Sequence, residues 1–314
     1  MKQKKNAKYH LRNWTEYNES LVNRGSLTFW FSEDVITAWN NQARSGKRGR
    51  PKNYDETAIL TMATLQEIFH QPLRQAEGFL RSIFELMKLD LRVPDYSTLC
   101  RRRAALEIEL PTRHRGEPLH LVIDSTGMKV FGEGEWKVRQ HGYTYRRTWR
   151  KLHLGVDESS GEIVAAVVTT NDYSDGQVLP ELLDQVTVQI DQVSGDGAYD
   201  KRNCYRAIKE RLAKAAIPPR RNAKIWRHGN ANKDRLARDQ NLRRIRKVGR
   251  AAWKKETGYH RRSLAETAVF RIKSIFGRQV SARSFNGQAA QLLIRCAALN
   301  RMTQLGMPDS YKAA

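Results

Sequence analysis

The sequence is poor in cysteine, poor in acid and without a long apolar run. Cys100, Cys204 and Cys296 are the three cysteines in 314 residues, and no two form a CxxC pair. That argues against a disulfide framework and a zinc site and fits reduced thiols in a cytoplasmic protein. The eight histidines are scattered, without metal-ligand spacing. No apolar stretch approaches the ~20 residues a membrane span needs. The first ten residues, MKQKKNAKYH, are basic without an apolar segment, so no secretory signal is expected. Asp and Glu number 33 against 56 Lys and Arg, giving a net charge of +23 and a pI near 10.2. Such an excess points to a polyanionic partner, nucleic acid ahead of an anionic membrane surface.

The chain divides by pattern. Residues 1–53 read as a basic arm whose aromatics, among them Trp14, Phe29, Trp30, Phe31 and Trp39, dock onto something else. Its Arg48-Gly49-Arg50-Pro51 core resembles an AT-hook, which would lay Arg48 and Arg50 into a narrow minor groove; a flexible basic linker is the alternative. Residues 54–117 read as a helical region and linker. Asp55 can cap a first helix, Pro72 starts a second, and Asp95 or Ser97 can cap a third that carries Arg101, Arg102 and Arg103. Two helices followed by a basic one suggest a helix-turn-helix-like DNA reader, with a plain helical bundle as the competing reading. Residues 118–305 switch to strand patterns, and 306–314 form a tail. The predicted strands are Leu119–Asp124, Leu152–Asp157, Ile163–Thr169, Gln189–Ser194 and Ala215–Ile217. Helices are predicted over Gln177–Val188, Lys201–Lys214 and Gly287–Leu305. Ser159-Ser160-Gly161 joins the second and third strands as a hairpin. Strand, hairpin, helix, strand, helix is the order of an RNase H-like α/β domain.

Within residues 201–262 there are 22 Lys and Arg against 4 Asp and Glu, an excess of 18 that is most of the total. A solvated surface normally mixes signs, so this tract reads as a backbone-binding face with salt-dependent affinity. Trp226 and Trp253 lie in it, each either a core anchor or a platform for an unpaired base.

Three acids stand out by context. Asp124 closes the strand LHLVID, Asp196 follows the strand ending at Ser194, and Glu266 lies on a late amphipathic helix. The carboxyl ends of strands in an open sheet are where sites assemble. Two strand-end acids and one from a flanking helix could share two hard divalent cations, the arrangement that drives in-line phosphodiester displacement. Tyr259, Arg262, Glu266 and Lys273 stand at offsets 0, 3, 7 and 14, within a sector of roughly 60° on one continuous helix. A capping box from Ser263 to Glu266 is the alternative, and it would leave Tyr259 and Arg262 ahead of the helix. Turns at Asp124-Ser125 and Gly195-Asp196-Gly197 compete in the same way, and Asp157, Asp172, Asp175 and Asp200 are rival acids near the predicted strands.

The spacing Tyr-x2-Arg-x3-Glu-x6-Lys, with VIDSTG at 122–127, GDGAYD at 195–200 and AETAVFRIKSIFG at 265–277, resembles the YREK signature of bacterial insertion-sequence DDE transposases, in particular the insertion-sequence-five family. The resemblance spans about residues 48–308. It implies an RNase H-like catalytic domain and cleavage and strand transfer dependent on Mg²⁺ (or Mn²⁺). Asp124, Asp196 and Glu266 would be the catalytic, metal-holding triad. Tyr259, Arg262 and Lys273 would contact terminal DNA phosphates. It further implies double-stranded DNA partners (terminal inverted repeats and target), a homo-oligomer that pairs the ends, no membrane, and a nucleoid-associated place in the cytoplasm. The separation of 70 positions from Asp196 to Glu266 leaves no room for the large β-rich insertion that some relatives carry there. Competing classes are a regulator that has lost catalysis, against which the intact triad argues, and an RNase H-like nuclease without transposition.

Overall fold

A computed structural model describes residues 9–40, 53–113, 116–131, 149–227 and 236–312. The chain forms two compact units, one of residues 1–99 with 298–314, the other of residues 100–297.

The first unit begins with β1 (Tyr9–Leu11), α1 (Trp14–Asn23), α2 (Leu27–Trp30) and α3 (Glu33–Thr37). Much of the expected arm is thus folded. Trp30, Phe31 and Trp39 are buried, and Trp39 packs edge-on against Phe31 and Phe84 with centroids 5.5 and 5.0 Å apart. The AT-hook-like residues Arg48 and Arg50 lie outside the described residues. The helices α4 (Glu56–Ile68), α5 (Leu73–Leu86) and α6 (Tyr96–Arg103) follow, α6 running past the unit boundary. The starts of α4 and α6 obey the capping rule, while α5 follows Pro72 without a side-chain cap. Asp55 accepts from the Thr57 N–H at 2.9 Å, and Asp95 accepts from the N–H groups of Ser97 and Thr98. Of the basic run on α6, Arg103 is buried.

The second unit holds a mixed six-stranded sheet flanked by helices. In chain order come β2 (Leu119–Val130), β3 (Trp149–Asp157), β4 (Ile163–Thr170), α7 (Asp175–Asp184), β5 (Ile190–Ser194), a 3₁₀ turn at Gly197–Tyr199, α8 (Arg202–Glu210), β6 (Lys214–Ala216), α9 (Ala237–Val248) and α10 (Arg250–Glu256). A second 3₁₀ turn at Tyr259–Arg262 leads into α11 (Ser263–Phe276), followed by β7 (Gln279–Val280) and α12 (Phe285–Leu305), with residues 298–305 of α12 in the first unit. The last strand, β8 (Ser310–Lys312), pairs antiparallel with β1.

The strand order is β4-β3-β2-β5-β6, with β7 also on β2. β2, β3 and β4 are antiparallel; β5, β6 and β7 join in parallel. Side chains alternate along β2. Leu119, Leu121 and Ile123 enter a core with Leu179 and Leu182 of α7, Val193 of β5 and Ile208 of α8. The alternate residues, Asp124 among them, face the other side.

Two local expectations change. β2 does not end at Asp124 but continues to Val130, because β3 pairs with it from Leu121 to Lys129 while the parallel β5 stops opposite Val122. The 16-residue stretch opening at Gly258 is not one helix. Gly258 adopts the left-handed conformation (φ 63°), Tyr259–Arg262 form the tighter 3₁₀ turn, and α11 starts at Ser263.

Candidate active site

The sheet forks at Asp124. The last pair of the β2–β5 ladder is Val122 with Ser194. Asp124 lies two residues farther along β2 and Asp196 two residues past the end of β5, so parallel pairing brings both acids to the same end of the same seam. The Ser125 N–H donates to Asp124 Oδ1 at 2.9 Å, and the Ala198 N–H donates to Asp196 Oδ1 at 2.8 Å. Both acids therefore do make the local turn contacts that competed with a catalytic reading. The turn at Asp196 is tight. A Cβ on Gly195 would stand 2.9 Å from Ile123 Cγ1 and 3.0 Å from Tyr199 Cδ2, so only glycine fits without a shift.

The 3₁₀ turn and the first turn of α11 supply the rest. Arg262 Nη1 lies 3.9 Å from Asp124 Oδ2, and Arg262 Nη2 donates to Glu266 Oε1. One guanidinium thus ties the third acid to the first. Ser263 Oγ donates to the His260 carbonyl at 3.1 Å, and Glu266 engages Arg262 rather than a cap. Tyr259 is buried against Trp253, with Lys254 Nζ 5.0 Å and Arg262 Cζ 5.9 Å from its ring centroid. Arg262 therefore reaches the acids without sharing a helix with them.

Electrostatics link these residues with Lys273 of α11. Burial pushes the Asp124 carboxyl above its ordinary range, and the charges of Asp196 and Glu266 push the same way, against the Ser125 N–H and Arg262. Burial raises the Tyr259 phenol, with Asp196 and Glu266 adding to it. Burial lowers the Lys273 ammonium, as does Arg278, while Asp124 opposes them. Burial also works against the Arg262 cation, but Tyr259, Glu266 and Asp124 outweigh it and raise its pKa.

Among the described residues no three His, Cys, Asp or Glu side chains are gathered closely enough to hold a metal ion. The donor chemistry nevertheless fits a hard divalent cation. Asp124, Asp196 and Glu266 all offer carboxylate oxygens, burial first and then the charges of the other two raise Asp124, and the Arg262 guanidinium lies against Asp124 and Glu266. The rival acids have other work. Asp157 accepts from Ser159 and Ser160 in the hairpin turn, Asp200 pairs with Arg238, and Asp172 accepts from Thr170. Asp175 is different. It holds Ser125, the neighbour of Asp124, and no spacing in the sequence singled that contact out.

The two tryptophans part company. Trp253 is 1% exposed, with Nε1 donating to Asn241, so packing leaves no face for a base. Trp226 lines a cavity of about 600 Å³ together with Tyr205, Ile208 and Leu236, rimmed by Arg202, Arg206, Lys209 and Arg227. Arg238 Cζ stacks 3.8 Å from the Trp226 centroid. Part of the basic tract is also consumed internally. Arg238 pairs with Asp200, Arg244 with Glu256, Arg261 with Glu158, and Arg250 donates to the Pro219 carbonyl.

Comparison with known proteins adds three findings. A family model described as a transposase DDE domain matches residues 115–301, more than half of the chain. A second model of the same description matches residues 22–133. Among solved structures, the chain is similar to a piggyBac transposase in a synaptic complex with hairpin DNA, at 10% identity and a TM-score of 0.37, over 90% of this chain and 73% of that one. That likeness is too distant to carry an argument about the site.

Proposed function

The chain belongs to the DDE transposases, and from that premise we propose that it is the transposase of an insertion sequence of the insertion-sequence-five family, with the YREK signature at Tyr259, Arg262, Glu266 and Lys273. The proposed reaction is cleavage at the terminal inverted repeats and transfer of the freed strand into target DNA. The observation that carries this reading is the fork of the sheet. The reading is supported by Asp124 and Asp196 each following the last β2–β5 pair, Val122 with Ser194, by two residues, and by Arg262 lying between Asp124 and Glu266.

In this reading the second unit is an RNase H-like catalytic domain, supported by the order β4-β3-β2-β5-β6 with three antiparallel strands followed by two parallel ones. Asp124, Asp196 and Glu266 would hold a pair of Mg²⁺ (or Mn²⁺) ions. Bound there, such ions supply activation of the attacking oxygen and neutralisation of charge on the scissile phosphate. The protein's own groups do the positioning. Arg262 leaves the carboxylates and grips a terminal phosphate as a planar fork; Lys273 adds a point charge; the Tyr259 hydroxyl donates a hydrogen bond. No covalent enzyme intermediate is needed, because alignment and charge neutralisation suffice.

The helices α4–α6 are proposed as a helix-turn-helix-like reader of the ends, with Arg48 and Arg50 as minor-groove contacts. A homo-oligomer would pair the two ends in the nucleoid. The Trp226 cavity, apolar within and cationic at its rim, suits an unpaired base.

The test is strand transfer by purified protein with Mg²⁺ and a duplex carrying one end. Products joined to target DNA are expected. Nicks without joining would favour a nuclease, and binding without cleavage would favour a regulator.

A further inference from the structure

Across the sheet from Asp124 lies a half-buried polar cluster that the proposed reaction leaves unused. Asp124 and Ser125 are consecutive on β2, so their side chains leave opposite faces. Ser125 Oγ donates to Asp175 Oδ1 at 2.7 Å, at the start of α7. Lys151 Nζ donates to the same oxygen at 2.7 Å and to the Tyr173 carbonyl at 3.1 Å. Two further polar atoms lie near that carboxylate. His153 Nδ1 is 3.7 Å from Asp175 Oδ1, and Asp175 is the strongest charge acting on the Tyr199 phenol. Both the His153 Nδ1 and the Tyr199 hydroxyl are buried without a hydrogen-bond partner.

The backbone explains why an anchor is needed here. β2 pairs with β5 only as far as Val122 and with β7 only from Lys129. Between those points the ladder supports β2 on the β3 side alone among the described residues. Asp124 sits in that half-supported segment, and its carboxylate is oriented by the Ser125 N–H. Fixing the Ser125 side chain on one face therefore fixes the N–H that aims Asp124 on the other.

We infer that Asp175 is a positioning residue for Asp124, acting through Ser125 on the binding of the divalent cation; this rests on the reading of Asp124 as a cation ligand. Lys151 holds Asp175 in place. Outer partners of this kind change metal affinity by roughly 10–100-fold when removed.

The experiment is calorimetric titration of the full chain with Mn²⁺, with the melting temperature of each variant measured alongside. Ser125→Ala and Asp175→Asn should each weaken Mn²⁺ binding by about 10-fold or more. Ser125→Thr, which keeps the hydroxyl, should bind as the parent does. The combined Ser125→Ala/Asp175→Asn variant should be no weaker than the worse single variant, since both break one chain of contacts. Unchanged Mn²⁺ affinity in both single variants would overturn the inference. So would a loss that follows the melting temperature, or losses that add in the combined variant. Asp124→Asn separates this from the underlying reading. If it abolishes Mn²⁺ binding while the two variants do not, the positioning role alone falls. If it binds Mn²⁺ normally, the cation-ligand reading of Asp124 falls.

Discussion

Lowering the pH from 7 to 5 should destabilise the sheet unit, and the largest part is expected from His153. The imidazole is fully buried on β3, Nε2 is 3.0 Å from Thr169 Oγ1, and burial pulls its pKa from 6.5 to about 4, against the opposing pull of Asp175. The folded state therefore keeps this ring neutral while the unfolded chain takes up a proton. For a histidine with a depressed folded pKa, the stabilisation is complete above pH 6.5 and is lost as pH falls toward 4. At pH 5 the loss is about 2 kcal/mol, approaching a limit of about 3 kcal/mol below pH 4. Urea unfolding at a series of pH values, parent against His153→Gln, isolates the contribution. The variant has its own offset at pH 7, but its stability should fall less steeply between pH 6.5 and 4. Parallel curves would refute the reasoning, as would a His153 ring that titrates near 6.5 by NMR in the folded protein.

Three further outcomes follow from the same geometry. Gly195→Ala should cost about 1–3 kcal/mol by overpacking against Ile123 and Tyr199, and Ile123→Ala in the same chain should cost less than it does alone; additive losses in thermal unfolding would exclude the clash. Trp226→Ala should weaken binding of a DNA end bearing one unpaired base by about 1–3 kcal/mol while leaving a fully paired end unaffected, and equal losses on both by fluorescence anisotropy would remove the base-binding role. Lys273→Ala should reduce the slope of log affinity against log salt by about 0.9, one phosphate contact; an unchanged slope would take Lys273 off the DNA.

Much of this was legible where one local rule decides. Asp55, Pro72 and Asp95 mark helix starts because capping depends on neighbours in sequence. The β3–β4 hairpin follows from its turn residues, and the strands β2 and β5 that pair in parallel follow from their apolar runs. What escaped depends on partners. The length of β2 is set by β3, which the sequence of β2 does not contain. The break ahead of α11 turns on a left-handed Gly258, although the capping alternative already left Tyr259 and Arg262 outside the helix. Trp253 and Trp226 stand in similar basic surroundings, and only packing makes one a core residue and the other a cavity wall. The internal ion pairs of the basic tract were hidden for the same reason, since their acids lie up to about a hundred residues away. Asp175 gave no signal beyond being one of several acids near a strand.

The central claim is that Glu266 is a reacting-site acid rather than a structural one. Glu266 is half-exposed and bonded to Arg262, so Glu266→Gln keeps its size and should leave the fold intact. The decisive measurement is cleavage of an end-containing duplex in Mg²⁺ by this variant, beside its affinity for the same duplex. Cleavage should be abolished while end binding persists. Cleavage at the parent rate would contradict it.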